Sequence, residues 1–325
     1  MLNTGVIGVG SMGKNHARVL SEISNLVGIA DPDKGAGESV ASKTGAKYFE
    51  DYHDLLKEDI QAICIAAPTE MHFHIAQHVI DKGINLLVEK PMCLNLEDSE
   101  RLVQLANDAD LTLAIGHIER HNPVVGFTKK ALEDGAYGDA IALAARRVSS
   151  FPARIKDVGV IMDLGIHDVD VMRYLLGSEV ESVFAQGRRR KHDVFEDHAN
   201  VLLDFDNGTT GFVEINWLTP MKVRRLSLTC SKNFVELDYV KQSLVISSSS
   251  LGELDPFNLY QVHLEYDIRR VSLQKEEPLK NELKDFLNAI TEKREPLVSG
   301  EDGLRTMRVV MAATESSKIK KRVEL

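Results

Sequence analysis

An aspartate and a histidine four residues apart are well placed for acid–base chemistry in this sequence of 325 residues. Asp163 and His167 would share one face of a helix, one turn apart. A carboxylate in that position could orient the imidazole, and the histidine could then act as a general base near neutral pH. Taken alone, the pair is more simply explained as a helix-terminal carboxylate and a core or surface histidine.

A glycine-rich segment near the start of the chain predicts a phosphate-binding turn. Gly8-Val9-Gly10-Ser11-Met12-Gly13 directly follows an apolar run and opens a helical pattern. In such a turn the first glycine permits the tight bend, the second lets the backbone approach a pyrophosphate, and the third lets the helix pack close to the sheet. The free N–H groups of the helix N-terminus would face the phosphates. This context favours a dinucleotide site over a glycine-rich turn without a ligand.

Asp31 indicates which dinucleotide binds. It ends the second apolar run, eighteen residues after Gly13. A carboxylate there can accept hydrogen bonds from both hydroxyls of the adenosine ribose and repels a 2′-phosphate, so we expect NAD and consider NADP less favourable. The alternative is a turn residue before Pro32, and Lys34 is near enough in sequence to weaken the discrimination.

Two more motifs follow predicted strands, at the sheet edge where open α/β sheets bind ligands. They are Ala66-Ala67-Pro68-Thr69-Glu70-Met71-His72 and Glu89-Lys90-Pro91. Lys90 could face the nicotinamide, whose positive charge in the oxidised state favours the neutral amine of a nearby lysine. A solvated loop lysine is the alternative. The predicted cofactor contacts are Gly8, Gly10, Ser11, Met12, Gly13, Asp31, Ala67, Pro68, Thr69, His72, Glu89 and Lys90.

The elements that must carry these residues change character along the chain. Continuous apolar runs at 5–9, 26–30, 60–66, 84–88 and 111–115 alternate with helical patterns, which is typical of strands buried on both faces of a parallel sheet. We therefore predict a doubly wound Rossmann domain over residues 1–120. Beyond it, alternating apolar positions and a type I′ hairpin signal at Asn207-Gly208 predict an α/β domain over residues 121–325, with an open, mostly antiparallel sheet.

Composition excludes several classes of protein. The chain has 39 basic and 49 acidic residues, a net charge of −10, which argues against a nucleic-acid binder. No apolar run is long enough for a membrane span, and a strand beginning by Thr4 leaves no room for a signal peptide. Three dispersed cysteines show no disulfide or zinc spacing, so we expect a cytoplasmic protein. The histidines at 72, 74, 78, 117 and 121 form no complete ligand set, and no metal is predicted.

In this order and spacing, the segments GVGSMG, AAPTEMH, EKP and DLGIHDVD resemble the Gfo/Idh/MocA family of NAD(P)-dependent oxidoreductases over essentially the whole chain. The resemblance implies that the second domain binds substrate and that its sheet joins subunits into homodimers or homotetramers. It also implies that Lys90, Asp163 and His167 contact the substrate and catalyse its oxidation, with His167 as the proton acceptor.

A finer similarity concerns Gly116-His117-Ile118-Glu119-Arg120-His121-Asn122-Pro123 and residues 154–159. Both segments resemble the branch of the family that oxidises the 3-hydroxyl of UDP-N-acetylglucosamine or a related nucleotide sugar, although His121 replaces the aromatic residue expected there. Arg120 and Arg154 could offer cations to the pyrophosphate of such a substrate, or they could be surface charges.

The sequence therefore predicts NAD-dependent oxidation of a secondary hydroxyl on a sugar ring, at carbon 3 of a UDP-amino sugar such as UDP-N-acetylglucosamine or its uronic acid. The alternatives are an inositol- or glucose-type polyol dehydrogenase, an NAD-dependent glycoside hydrolase and a non-catalytic NAD-binding regulator.

Overall fold

The computed structural model, which describes residues 1–152, 158–251 and 264–325, divides the chain into two units. The first unit comprises Met1–His121 and Glu276–Met311, and the second comprises Asn122–Lys275 and Ala312–Leu325. The predicted boundary near residue 120 coincides with the first change of unit. The sequence prediction assigned all of residues 121–325 to one domain, whereas the structure places Glu276–Met311 in the first unit.

Six parallel strands form the sheet of the first unit, in the order β3-β2-β1-β4-β5-β6. The strands are β1 (Asn3–Ile7), β2 (Asn25–Ala30), β3 (Lys47–Phe49), β4 (Ala62–Ile65), β5 (Asn85–Glu89) and β6 (Leu113–Gly116). This is the strand order of a classical dinucleotide-binding domain, which confirms the predicted doubly wound fold. Each predicted apolar run overlaps a strand. Only β3 lacks such a run, because it is three residues long and partly exposed at the sheet edge.

Helices connect these strands and cover both faces of the sheet. They are α1 (Gly13–Ile23), α2 (Lys34–Thr44), α3 (Tyr52–Leu55), α4 (Thr69–Asp81) and α5 (Leu96–Asp108), and the later α8 (Pro278–Glu292) joins them. Leu279, Leu283 and Phe286 of α8 bury their side chains in the same core as α1. Their spacing places them on one helix face, and this burial is the physical reason why the C-terminal segment belongs to the first unit.

The second unit contains one mixed sheet in the order β14-β13-β12-β11-β7-β10-β9-β8-β15. The strands are β7 (Ala140–Val148), β8 (Val180–Arg188), β9 (His198–Phe205), β10 (Thr210–Asn216), β11 (Val223–Cys230), β12 (Phe234–Asp238), β13 (Ser243–Leu251), β14 (Leu264–Ser272) and β15 (Val323–Glu324). The pairing of β10 with β7 is parallel, and the other pairings within the described strands are antiparallel. The predicted open, mostly antiparallel sheet is confirmed.

The remaining α-helices among the described residues are α6 (Pro123–Glu133), α7 (Ile166–Leu176) and α9 (Gly300–Ile319), and α9 spans the change of unit after Met311. A π-helical turn, Ile161–Gly165, leads directly into α7, and α7 packs against β7 and β10. Among the described residues, no helix is both long enough and apolar enough to cross a membrane.

The hairpin predicted at Asn207-Gly208 forms between β9 and β10, but its turn differs from the predicted type I′. Gly208 alone takes a positive φ, at 80°, and its N–H donates to the carbonyl oxygen of Phe205 at 2.9 Å. A type I′ turn needs positive φ at both central residues. The observed turn is therefore a three-residue loop that ends on a glycine bulge.

Candidate functional site

A cleft of about 720 Å³ opens at the carboxyl ends of β1, β2 and β4 in the first unit. Its lining includes five residues predicted from the sequence to contact the cofactor, Gly8, Gly10, Asp31, Ala67 and Pro68. The lining residues are Ile7, Gly8, Gly10, Ala30, Asp31, Pro32, Glu50, Asp51, Tyr52, Ala66, Ala67, Pro68, Met71 and Ile75. This is the crevice in which doubly wound sheets bind nucleotides.

The glycine turn fits a dinucleotide. Gly8 has a φ of 86°, and a Cβ atom there would lie 2.7 Å from the backbone nitrogen of Ala67. At Gly13 a Cβ atom would lie 1.8 Å from the carbonyl oxygen of Gly8, so α1 can pack this closely only on glycine. At Gly10 a Cβ atom would meet no protein atom within 4 Å, because this residue faces the open cleft. Backbone can therefore approach a pyrophosphate at Gly10.

The N-terminus of α1 lies beside the same turn. Ser11 and Met12 precede the helix, and no side chain caps its first turn. Backbone N–H groups at an uncapped helix N-terminus are suited to phosphate oxygens. Ser11 and Met12 thus lie where a phosphate-binding backbone is expected, although neither side chain lines the cleft.

Asp31 stands at the end of β2 with its carboxylate held by two backbone groups. One oxygen accepts the N–H of Val9 at 2.7 Å, and the other accepts the N–H of Asp33 at 2.8 Å. Each oxygen keeps a second lone pair for a ribose hydroxyl. Glu50 and Asp51, which sequence reasoning missed, line the same cleft and add negative charge that opposes a 2′-phosphate.

Some residues of the second predicted motif line the cleft, whereas others are buried and support its wall. Ala67 and Pro68 line the cleft, whereas Thr69 begins α4 and is buried. His72 is also buried, with Nε2 2.9 Å from the carbonyl oxygen of Ala67 and Nδ1 3.0 Å from that of Pro91. Burial lowers the pKa of His72, against the opposing effect of these carbonyls. His72 therefore connects the two strand-end loops instead of facing a cofactor with a free nitrogen.

Glu89 ends β5, and Lys90 follows it directly. The Glu89 carboxylate is buried and lies 2.8 Å from Nε2 of His16, so it faces the protein interior and does not line the cleft. Lys90 is partly buried and is joined to Pro91 by a cis peptide bond. Among the described residues, no cluster of histidine, cysteine and acidic side chains is arranged to hold a metal.

Asp163 and His167 occupy consecutive elements of the second unit. Asp163 lies in the π-helical turn and is half-buried, and His167 lies in the first turn of α7 with 8% of its surface exposed. π-Turns of this kind occur frequently at functional sites. The sequence spacing predicted one continuous α-helix for the pair, and apolar periodicity gives no signal for the extra residue of a π-turn.

Glu196 holds the start of this segment and was not predicted from the sequence. Its carboxylate accepts the N–H of Ile161 at 3.2 Å, and its carbonyl oxygen accepts the N–H of Val160 at 2.9 Å. Burial raises the pKa of Glu196 above its usual range. Gly159 leaves room for this side chain, because a Cβ atom there would lie 2.1 Å from the Glu196 carboxylate.

The two arginines predicted to bind a substrate pyrophosphate have different outcomes. Arg120 is 4% exposed. Its guanidinium donates to the carbonyl oxygen of Leu297 at 3.2 Å and lies 3.3 Å from the Asp302 carboxylate. These contacts belong to the interior of the first unit, so the geometry does not support Arg120 as a substrate cation. Arg154 lies outside the described residues.

The cleft, the glycine turn and the strand order define a dinucleotide-binding protein, and comparisons with protein families place it among the NAD-binding oxidoreductases. Residues 2–117 match the oxidoreductase family's NAD-binding Rossmann fold, residues 127–236 match the Gfo/Idh/MocA C-terminal domain, and residues 254–325 match the oxidoreductase family's C-terminal alpha/beta domain. The chain belongs to the Gfo/Idh/MocA family, and its cofactor is NAD.

Individual relatives place the chain among dehydrogenases. It is 32% identical to the UDP-N-acetylglucosamine 3-dehydrogenase of Acidithiobacillus ferrooxidans over 94% of both chains. A solved structure of that enzyme superposes with a TM-score of 0.86, at 30% identity over 98% of both chains. The myo-inositol 2-dehydrogenase of Thermotoga maritima is 28% identical over 100% of this chain and 98% of its own. The predicted class, an NAD-dependent dehydrogenase of a sugar or polyol, is confirmed.

Proposed function

We propose that this enzyme oxidises the 3-hydroxyl of a UDP-amino sugar, either UDP-N-acetylglucosamine or its uronic acid. The observation that carries the proposal is the similarity, over 94% of both chains, to a relative named for this reaction. The segments around residues 116–123 and 154–159, which resemble the same branch, support it from the sequence. The proposal does not rest on Arg120, because this residue is 4% exposed and lies 3.3 Å from the Asp302 carboxylate.

The proposed roles follow from the chemistry of three side chains. Bound NAD supplies the hydride acceptor. His167 accepts the proton of the sugar hydroxyl as the hydroxyl becomes a carbonyl, because a neutral imidazole is a competent base near neutral pH. Asp163 orients and tunes the imidazole, and Lys90 polarises and orients the hydroxyl oxygen. These roles require no metal.

An inositol or other free-polyol dehydrogenase is the second candidate. It is favoured by the match to the myo-inositol enzyme of Thermotoga maritima, which spans the whole of this chain. A glycoside hydrolase that recycles its NAD and a regulator that binds NAD without turnover can be distinguished from a dehydrogenase by measuring NADH formation. Neither would accumulate NADH in proportion to the substrate consumed.

We also propose that the protein is a homodimer or homotetramer joined through the sheet of the second unit. Phe184, Leu202 and Phe212 are neighbours on three adjacent strands and are 39%, 51% and 37% exposed. An exposed apolar face of this kind is typical of an interaction surface. We propose a cytoplasmic location and a small-molecule substrate, with no nucleic-acid or membrane partner.

The function is tested by following NADH absorbance with UDP-N-acetylglucosamine, its uronic acid, myo-inositol and free hexoses. We expect NADH to accumulate only with the UDP-sugars. Lys90→Ala and His167→Ala should each lower kcat by about 100-fold or more while NAD affinity changes little, as expected for groups that act in proton transfer. The matched controls Lys82→Ala and His74→Ala replace exposed residues. Turnover of free polyols alone would exclude the nucleotide-sugar proposal.

A further inference from the structure

The first unit buries a group of ionisable side chains to which the proposed reaction gives no role. His16 of α1, Glu89 of β5 and Glu282 of α8 are 0%, 7% and 2% exposed. Buried charges are expensive unless they are paired, so such a group persists only where protein contacts compensate. Glu89 immediately precedes Lys90 in the chain, which connects the group to the proposed reaction.

Two contacts fix the Glu89 carboxylate. One oxygen lies 2.8 Å from Nε2 of His16, and the other accepts the backbone N–H of Lys90 at 3.2 Å. Gly116, at the end of the neighbouring strand β6, leaves space for this arrangement, because a Cβ atom there would lie 3.0 Å from the second oxygen. His16 thus holds the carboxylate, and the carboxylate holds the backbone from which the Lys90 side chain extends.

The two carboxyl groups of this buried group, Glu89 and Glu282, differ in the direction of their pKa shifts. Burial would raise the pKa of Glu89, but the hydrogen bond with His16 and the electrostatic influence of His16, Lys90 and His72 hold it below its ordinary value. Burial, together with the negative charges of Glu89 and Asp285, raises the pKa of Glu282 well above its ordinary value. Neither carboxylate oxygen of Glu282 has a hydrogen-bond partner within the described part of the chain. The negative charge is therefore favoured on Glu89, beside Lys90, whereas burial favours the neutral form of Glu282.

We propose that Glu89 is a positioning residue for Lys90 and that His16 keeps the Glu89 carboxylate in place. The carboxylate restrains the Lys90 backbone through the N–H bond, and it places a negative charge close to Lys90. Small errors in the placement of a reacting group can lower the rate by as much as about 100-fold, so loss of this restraint should lower kcat. The proposal rests on the role proposed above for Lys90.

The experiment compares Glu89→Gln, His16→Leu and His16→Gln with the wild-type enzyme. Glutamine at 89 keeps the size of the side chain but removes its charge. Leucine at 16 removes the donor, whereas glutamine at 16 retains an N–H near the position of Nε2. We expect Glu89→Gln and His16→Leu to lower kcat by about 10- to 100-fold and to change the pH dependence of kcat. His16→Gln should restore most of the activity, and NAD affinity should change less than about twofold in all three variants.

A purely structural role for the pair would be seen as less folded protein with an unchanged kcat per folded molecule and an unchanged pH dependence, and that result would overturn the proposal. If Glu89→Gln does not fold, the comparison of His16→Leu with His16→Gln decides, since equal kcat values in those two variants would also overturn it.

Lys90→Ala separates this proposal from the function on which it rests. Normal turnover in Lys90→Ala would reject the role of Lys90 itself, and the positioning proposal with it. If Lys90→Ala loses activity while Glu89→Gln and His16→Leu retain normal kcat, only the positioning proposal fails. In the Lys90→Ala background, Glu89→Gln should cause no further loss of residual turnover. The effects of two substitutions do not add when both act through the same group.

Discussion

At the scale of single residues, cofactor choice depends on how the Asp31 carboxylate is held. Its two backbone contacts, to Val9 and Asp33, fix its direction at the end of β2. A fixed carboxylate accepts ribose hydroxyls without first losing conformational freedom. Lys34, which could have weakened the preference for NAD, is 70% exposed and lies 3.8 Å from Glu38 on its own helix.

We therefore predict that Asp31→Ser lowers the ratio of kcat/KM for NAD to that for NADP by at least about tenfold, the size expected when a charge-assisted hydrogen bond is lost. Steady-state kinetics with both cofactors measures the ratio. Lys34→Ala is the control and should leave it within about twofold. A wild-type enzyme that prefers NADP would show that Asp31 has been misinterpreted.

The buried acid Glu282 gives a pH-dependent prediction for stability. Its folded-state pKa is raised, so the folded protein retains a proton that the unfolded chain releases above its ordinary pKa of about 4.3. Glu282 therefore favours folding least at high pH. Its electrostatic neighbours include Glu89, Asp285 and the Cys64 thiol. Glu282→Gln should become more stable than wild type as pH rises from 5 to 8, by up to about 1.4 kcal/mol per pH unit.

Urea unfolding at several pH values measures this difference. Glu292→Gln, on the exposed part of the same helix, is the control and should show a difference that does not vary with pH. An equally flat difference for Glu282→Gln would mean that Glu282 is ionised in the folded protein.

The cleft residues that belong to a recognisable sequence motif could be predicted from the sequence. Gly8, Gly10, Asp31, Ala67 and Pro68 all line the cleft, as their motifs indicate. Sequence reasoning did not distinguish residues that line the cleft from residues that support it. Both kinds follow strand ends, and only the three-dimensional structure shows which way a side chain such as His72 or Glu89 faces.

At the scale of elements, the glycine turn contains two positions, Gly10 and Gly13, at which the same substitution should affect NAD binding and folding stability differently. We predict that Gly10→Ala retains the stability of the wild type but loses NAD affinity, because its Cβ atom would enter the open cleft. Gly13→Ala should lose both, because its Cβ atom would lie 1.8 Å from a backbone oxygen. Thermal unfolding and NAD titration of the two variants test this prediction. Equal loss of stability in both would contradict the assignment of Gly10 to the cofactor.

The elements that sequence reasoning missed lack a local signal. Strand β3 is short and lies at an edge, where pairing with β2 and not apolar content makes it a strand. The π-turn before α7 is stabilised by Glu196, a residue more than thirty positions away in sequence. The return of Glu276–Met311 to the first unit depends on which core α8 buries its apolar face in. Periodicity shows that a helix has such a face but not which core receives it.

At the scale of the whole molecule, the exposed face of the second sheet should determine assembly. Leu202 is 51% exposed at the centre of this face, between Phe184 and Phe212. We predict that Leu202→Glu lowers the oligomeric state without unfolding the protein, because a buried unpaired charge disfavours association strongly while an exposed one does not disfavour folding. Val240→Glu changes a similarly exposed apolar residue, at 58%, and should leave the assembly unchanged. Light scattering coupled to size exclusion gives the masses. Identical masses for wild type and Leu202→Glu would exclude this face as the interface.

The central claim is that hydride leaves carbon 3 of a UDP-amino sugar and is transferred to NAD. Its most direct test uses UDP-N-acetylglucosamine deuterated at carbon 3, with the isotopic content of the resulting NADH measured by mass spectrometry. We expect one deuterium per NADH and an equal amount of the 3-keto sugar. Unlabelled NADH, or no NADH from this substrate while myo-inositol reduces NAD readily, would contradict it.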